Sequence, residues 1–161
     1  MTGESSGPGR RALIIPGGEA HAETSMFNNI LVPTDGSDTA EAALEHAIDL
    51  ASRADAVIHV VYVADVTVAR GGPMLDLLTE EGQRATKEAA SRVSGAGLSV
   101  TRAVVEGKPS RAILEYADEA RIDLIVMGTH GRTGLDRLFM GSVAGRVVRL
   151  AKVPVLTIRR P

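Results

Sequence analysis

The feature that most constrains the fold is a regular alternation of short apolar runs with longer segments whose apolar residues recur at helical spacing. Five strand-like runs occur, and a helical pattern fills each interval between them. The runs are NILVP at 29–33, AVIHVVYV at 56–63, the strand within GAGLSVTRAVVEG at 95–107, DLIVMG at 123–128 and VPVLTIRR at 153–160. Because strand–helix–strand crossovers are right-handed in nearly all cases, this order predicts a three-layer α/β/α fold around a five-stranded parallel sheet.

The four helical segments have recognisable starts and apolar faces. Asp38 and Glu41 have the spacing of a capping box, which predicts a helix with Asp38 as its N-cap. A second helix is expected from about Met74 to Val93. Pro109 suits the first turn of a third helix, and SVAGRVVRLA at 142–151 is the fourth.

The first 26 residues show neither the period of 2 that is typical of strands nor the period of 3.6 that is typical of helices, and they are rich in Gly, Ser, Pro and Glu. We therefore predict a disordered N-terminal tail at 1–26 and one folded domain at 27–161. A targeting or partner-docking arm is the alternative for the tail, and translation from Met26 is another. The chain contains no cysteine, which fits a reducing compartment and makes the cytoplasm the default location.

Charge and composition disfavour two classes of partner. The formal net charge is −2, and the aromatic residues are two tyrosines and two phenylalanines, too few for a base-stacking surface. No apolar run approaches the roughly 20 residues that span a bilayer, and RRALIIPGG is too short for a signal peptide. We therefore expect no nucleic acid and no membrane as partners.

Two loops at predicted strand ends carry the residues that suggest a ligand. They are PTDGSD at 33–38 and MGTHGRTGLDRLFMGS at 127–142. With the strand order 3-2-1-4-5, both loops flank the point where the winding reverses, which is where α/β sheets bind ligands. Glycine amides and the start of the last helix make an anion site, to which Ser142 adds a hydroxyl and Arg132 a positive charge. The loops therefore predict a phosphate-binding crevice.

The same residues resemble the universal stress protein (UspA-like) family. Its G-x2-G-x9-G-[ST] signature is filled by Gly128, Gly131, Gly141 and Ser142. ILVPTDGSDTAEAALEHAIDLA resembles the family's first strand and helix, and VPVLTIRR resembles its last strand. The resemblance covers about residues 27–160. It implies a Rossmann-like fold of the adenine nucleotide alpha hydrolase type and an ATP-binding protein with a role in stress response.

The resemblance also implies where ATP binds. The matching positions lie near adenosine in the first loop, against adenine at the second strand end, and around the phosphates in the fourth-strand loop. They are Pro33, Thr34, Asp35, Val63, Met127, Gly128, Gly131, Arg132, Gly141, Ser142 and Val143. Ala144 lacks a hydroxyl that some binders carry. A homodimer that pairs the last strands is usual in the family and would cover an apolar sheet edge.

Structural interpretations of these residues stay open. The glycines 128, 131 and 134 also suit tight turns, and Asp35 suits a turn or a helix cap. Asp35 and Asp38 together are candidate ligands for Mg²⁺ beside a triphosphate. Val63 and Met127 would be core residues in any α/β domain. His130 is the one histidine placed to touch a ligand.

Sequence motifs of enzymes are incomplete. VEGKPS lacks the first glycine of a Walker loop, since Arg102 occupies that position. Ser142 lies in G-S-x-x-G and not in a nucleophile elbow, and the histidines lack metal-binding spacing. We predict no catalytic residue and a nucleotide-dependent regulator that acts on an unidentified protein. The alternatives are a slow ATP-hydrolysing enzyme and a dimeric interaction domain without nucleotide.

Overall fold

The computed structural model describes residues 25–132 and 139–160 and contains one parallel sheet of five strands. The strands are β1 (Asn29–Pro33), β2 (Val57–Asp65), β3 (Val100–Gly107), β4 (Leu124–Gly128) and β5 (Val155–Ile158). Their order in the sheet is β3-β2-β1-β4-β5, and every neighbouring pair is parallel. The predicted fold class and strand order are confirmed.

Four helices connect the strands and cover both faces of the sheet. They are α1 (Asp38–Ala54), α2 (Gly72–Gly95), α3 (Pro109–Glu119) and α4 (Ser142–Leu150). Helices α1 and α2 share one apolar cluster with alternate residues of the central strands, among them Ile30 and Val126. Helices α3 and α4 share a second cluster on the opposite face with Leu31 and Ile125. Because both faces are buried, the central strands are predominantly apolar.

The start of α1 differs from the capping box expected at Asp38. Ser37 is the N-cap, and its hydroxyl accepts a hydrogen bond from the amide of Ala40 at 3.3 Å. The carboxylate of Asp38 instead forms an ion pair with Arg160, in which Oδ2 and Nη1 lie 3.0 Å apart. The prediction was wrong by one residue because serine and aspartate are both good N-caps and the sequence contains them side by side.

A buried polar group lies on the α3 side of the sheet. The Nδ1 atom of His59 in β2 lies 3.0 Å from the hydroxyl of Tyr116, and its Nε2 atom lies 3.2 Å from Oδ1 of Asn29. With Nε2 donating to Asn29 and Nδ1 accepting from Tyr116, the neutral ring is satisfied on both nitrogens. Burial lowers the pKa of His59 below its ordinary value of 6.5.

This lowered pKa predicts an acid-sensitive contribution to stability. The unfolded chain takes up the histidine proton at about pH 6.5, whereas the folded protein resists it to a lower pH, so the free energy of unfolding falls as pH drops below 6.5. Urea unfolding at several pH values between 5 and 8 measures the slope. His59→Gln should flatten it between pH 5 and 6.5, and the exposed His46→Gln should not. An unchanged slope in His59→Gln would contradict this assignment.

The N-terminal prediction falls mostly outside the described residues, since residues 1–24 are not among them. Ser25 is described, and its hydroxyl donates to the carbonyl of Ala54 at 2.6 Å, beside the end of α1. Within residues 25–132 and 139–160, none of the helices combines the length and the apolar character that a membrane span requires.

Candidate functional site

A cavity of about 450 Å³ opens at the carboxyl ends of β1, β2 and β4. The position follows from the topology, because β1 pairs with β2 on one side and with β4 on the other. The chain therefore winds outward in opposite directions from this point, which leaves a crevice between the loops. The volume lies within the range of about 300–1,000 Å³ that is typical of small-molecule sites.

All of the residues predicted from the sequence to form the site line this one cavity. Pro33, Thr34 and Asp35 contribute from the end of β1, and Val63 from β2. The remaining lining positions come from β4, the loop that follows it, and the first residues of α4: Met127, Gly128, Gly131, Arg132, Gly141, Ser142 and Val143. His130 also lines the cavity. Gly134 lies outside the described residues.

The first turn of α4 presents unpaired backbone amides at the cavity. The amide of Gly141, the N-cap, donates to the carbonyl of Thr129 at 2.7 Å, and the first helical hydrogen bond runs from Gly145 to Gly141 at 2.8 Å. Within residues 25–132 and 139–160, the amides of Ser142, Val143 and Ala144 have no backbone or side-chain acceptor. Free donors at a positive helix end form an anion-binding site.

The glycines of this region are explained by close approach of other protein groups. A Cβ at Gly128 would lie 2.9 Å from Cβ of Thr39, and one at Gly141 would lie 3.0 Å from the carbonyl oxygen of Thr129. A Cβ at Gly131 would lie 2.6 Å from Oδ2 of Asp35. None of the three is in the left-handed backbone region. Packing against Thr39 and the Thr129 carbonyl therefore favours glycine at positions 128 and 141, whereas at Gly131 the near atom is the end of the Asp35 side chain.

One wall of the cavity is apolar. Val61 and Val63 in β2, Ile113 in α3 and Met127 in β4 form it, and all four belong to the apolar cluster under α3 and α4 or pack against it. The prediction that Val63 and Met127 are core residues and the prediction that they line the site are thus compatible. A rigid apolar wall of this kind suits a flat ring system.

The carboxylate of Asp35 is held by two backbone amides. Its Oδ1 accepts from Ser37 at 2.9 Å, and its Oδ2 accepts from Arg132 at 3.1 Å. The first bond closes the turn before α1, so Asp35 has the role of a turn residue. The second bond ties this turn to the loop after β4, so Asp35 joins the two loops that flank the cavity.

The guanidinium of Arg132 is engaged, although the sequence predicted a cation placed for phosphates. Its Nε donates to the backbone carbonyl of Asp35 at 2.7 Å, and its Nη2 forms an ion pair with Glu81 of α2. The hydrogen bond from Arg132 keeps the pKa of Glu81 below its usual value. The same bond raises the pKa of Arg132. Arg132 lines the cavity with its charge largely balanced by Glu81.

The two carboxylates considered for Mg²⁺ are not brought together at the cavity. Asp35 lines it, whereas Asp38 does not and is bonded to Arg160. Among the residues for which the structure gives positions, no group of three or more His, Asp or Glu side chains is arranged to hold a metal ion. The structure therefore does not support a Mg²⁺ site shared by Asp35 and Asp38.

Several cavity residues were not anticipated from the sequence. They include Tyr62, Asp65, Leu78, Pro109, Phe139 and Met140. Pro109 and Leu78 belong to helices whose approach to the cavity depends on tertiary packing. His130 was anticipated as a ligand contact; its Nδ1 lies 3.0 Å from the hydroxyl of Thr129, and its buried Nε2 has no partner in the part of the chain that is described.

Fold and site together define a doubly wound α/β domain with a cavity at its topological switch point, lined by the first residues of α4. The sequence model of the Universal stress protein family matches residues 26–159. The chain therefore belongs to the universal stress protein family.

Individual relatives agree with this assignment. Universal stress protein MJ0531 from Methanocaldococcus jannaschii is 40% identical over 144 residues, which covers 85% of each chain. The solved structure of hypothetical protein MJ0577 from the same organism has a TM-score of 0.79 at 30% identity and covers 84% of this chain and 98% of its own. The universal stress protein from Archaeoglobus fulgidus in complex with dAMP has a TM-score of 0.66 at 27% identity, covering 83% and 98%.

Proposed function

We propose that this protein binds an adenine nucleotide, ATP, in the cavity at the ends of β1 and β4, and that it acts in the cytoplasm as a nucleotide-dependent stress-response regulator. The observation that carries the proposal is that the amides of Ser142, Val143 and Ala144 lie at the cavity with no acceptor among residues 25–132 and 139–160. Amides at a helix start select for negative oxygen atoms, and phosphate is the common biological group with several of them.

The lining residues suggest how the nucleotide lies. The apolar wall that includes Val63 and Met127 receives the adenine, with Asp35 and its neighbours Pro33 and Thr34 beside the adenosine. The phosphates lie over Gly131 and against the start of α4. The solved structure of the A. fulgidus universal stress protein in complex with dAMP supports adenine as the base.

The available interactions match the affinity expected of a regulatory site. A micromolar dissociation constant corresponds to about 8 kcal/mol. Hydrogen bonds to a charged group contribute about 1.5–3 kcal/mol each, so three amides facing phosphate supply a large share of that free energy before the loss of ligand entropy. Burial of the adenine against the apolar wall adds to it.

Mass identification of small molecules released by acid from the purified protein tests the proposal. Adenine nucleotide in near-stoichiometric amount is the expected result. Isothermal titration of nucleotide-free protein with ATP should then give a dissociation constant in the micromolar range. Protein that carries no nucleotide and shows no heat with ATP, ADP or AMP would refute the proposal and leave an interaction domain without nucleotide.

We further propose a homodimer that pairs the β5 strands. In the sheet β5 is bonded only to β4, so its other edge is unpaired within the described chain. Leu156 in β5 is 38% exposed, and Leu150 at the end of α4 is 61% exposed. An apolar open edge favours pairing with another strand, and two-fold symmetry is the commonest way to close it.

Substituting Leu156 by lysine should produce monomers. Val155 and Ile158, the other candidates in this strand, pack against the two apolar clusters, so lysine there would damage the monomer as well. Leu156→Lys changes an exposed position and leaves the core intact. Sedimentation equilibrium should give the mass of two chains for the unmodified protein and of one chain for Leu156→Lys. The control Leu77→Lys, at an exposed position of α2, should stay dimeric. A monomeric unmodified protein at micromolar concentration would disprove the dimer.

A further inference from the structure

The side chain of Arg132 reaches Glu81 of α2. It lies across the turn after β1, where a Cβ on Gly36 would be 3.3 Å from its Nη2. Nε donates to the carbonyl of Asp35 at 2.7 Å, and Nη2 pairs with Glu81 in α2. The guanidinium is therefore held by groups of the protein on the α2 side of the cavity.

Glu81 is itself fixed in place. The hydroxyl of Tyr62 donates to its Oε2 at 3.3 Å. The Tyr62 ring is packed under α2 at Gly82, where an added Cβ would lie 2.5 Å from the ring. Glu81 therefore meets Arg132 from a defined position, and the hydrogen bond from Arg132 lowers the pKa of Glu81, which favours its ionised form.

Arg132 is the one arginine or lysine among the described residues that line the cavity. The amides of α4 offer donors for one phosphate group. The second and third phosphates of a nucleotide carry additional charge, and among the described lining residues Arg132 is the arginine that can neutralise it. In the structure, however, that charge is already paired with Glu81.

We propose that Glu81 determines the nucleotide specificity of the site by competing with the distal phosphates for Arg132. This inference rests on the proposed function. A monophosphate binds at the α4 amides without disturbing the Glu81–Arg132 pair. A triphosphate gains Arg132 only by displacing Glu81, so the pair lowers affinity for ATP more than for AMP. Binding of ATP also releases Glu81 from Arg132. The ion pair that joins Arg132 to α2 is therefore broken by ATP and kept by AMP.

The size of the effect follows from the exposure of the pair. The side chains of Arg132 and Glu81 are 48% and 31% exposed. Ion pairs of this kind are worth up to about 1 kcal/mol, which is about a five-fold change in affinity. We expect Glu81→Gln to bind ATP about three- to five-fold more tightly and to bind AMP with a change of less than about two-fold.

Isothermal titration of ATP and AMP into four proteins tests the inference: the unmodified protein, Glu81→Gln, Arg132→Gln and the double variant. The expected result is a rise in the ratio of ATP to AMP affinity in Glu81→Gln that disappears when Arg132 is also replaced. Glu80→Gln is the matched control, because it removes the same charge from the preceding residue of α2, which is exposed. A loss of fold stability would change both affinities together and leave their ratio constant.

The outcomes separate the two proposals. If the unmodified protein binds adenine nucleotides but Glu81→Gln leaves the ratio unchanged, the role of Glu81 is wrong and the nucleotide site stands. The role of Glu81 is equally wrong if Glu80→Gln reproduces the effect or if the effect persists without Arg132. If the unmodified protein binds neither ATP nor AMP, the proposed function itself fails, and the inference fails with it.

Discussion

Replacing Gly131 by valine should weaken the binding of adenine nucleotide by about 100-fold or more, equivalent to about 2.7 kcal/mol. The first added atom alone would lie 2.6 Å from Oδ2 of Asp35, so the carboxylate must move. That oxygen accepts from the amide of Arg132, and its movement opens the junction of the two loops. The valine branches would also occupy cavity space assigned to phosphate. Isothermal titration with ATP measures the loss.

The fold should survive this substitution, because Gly131 is exposed in a loop. Gly95→Val is the matched control: it makes the same chemical change at the end of α2, where an added Cβ meets no atom within 4 Å. Affinity should be unchanged in Gly95→Val, and the unfolding midpoint of Gly131→Val should remain close to that of the parent. Full affinity in Gly131→Val would show that the phosphates do not lie over this glycine.

Most of the architecture could be predicted because it is recorded in local periodicity. The continuous apolar runs at Ile30–Val32 and Leu124–Met127 mark strands that are buried on both faces, and right-handed crossovers leave few ways to connect them. The location of the site followed from the same logic, since ligands bind where the strand order reverses. Those inferences use spacing and topology and need no knowledge of side-chain positions.

The predictions became unreliable where two distant segments meet. The ion pair between Glu81 and Arg132 joins residues 51 positions apart, and it depends on the rotation of α2 about its own axis. Thr86 presents a second difficulty: it is fully buried on the core face of α2, where its hydroxyl donates to the carbonyl of Gly82 at 2.8 Å. Periodicity of apolar residues cannot reveal a polar residue that satisfies itself in this way.

The described residues of the glycine-rich loop line the cavity, but the reason given for its glycines was incomplete. From the sequence, its glycines suited either tight turns or the binding of phosphate. In the structure the close approach is made by Thr39, Asp35 and the carbonyl of Thr129. Glycine allows the loop after β4 to lie against α1 and the turn before it, and this packing places the start of α4 at the cavity. The sequence could not distinguish protein neighbours from a phosphate.

Replacing Gly128 by alanine should destabilise the protein by about 2–3 kcal/mol, the upper part of the range for overpacking. The new Cβ would lie 2.9 Å from both Cβ and Oγ1 of Thr39 and 3.1 Å from its backbone carbonyl carbon. Rotation of the threonine cannot relieve contacts with Cβ and the backbone, so the first turn of α1 must shift. The hydroxyl of Thr39 also donates to the carbonyl of His130, and the shift would disturb the loop after β4.

Urea unfolding of nucleotide-free protein measures this loss without a contribution from ligand binding. Gly145→Ala makes the same substitution in α4, where the nearest atom to an added Cβ is the end of the flexible Arg149 side chain at 3.7 Å. Alanine is favoured over glycine inside a helix by about 1 kcal/mol, so this control should be neutral or slightly stabilising. The contrast separates close packing from glycine flexibility, because both variants lose the same flexibility in the unfolded chain. Equal stability changes in the two variants would mean that α1 does not press on Gly128.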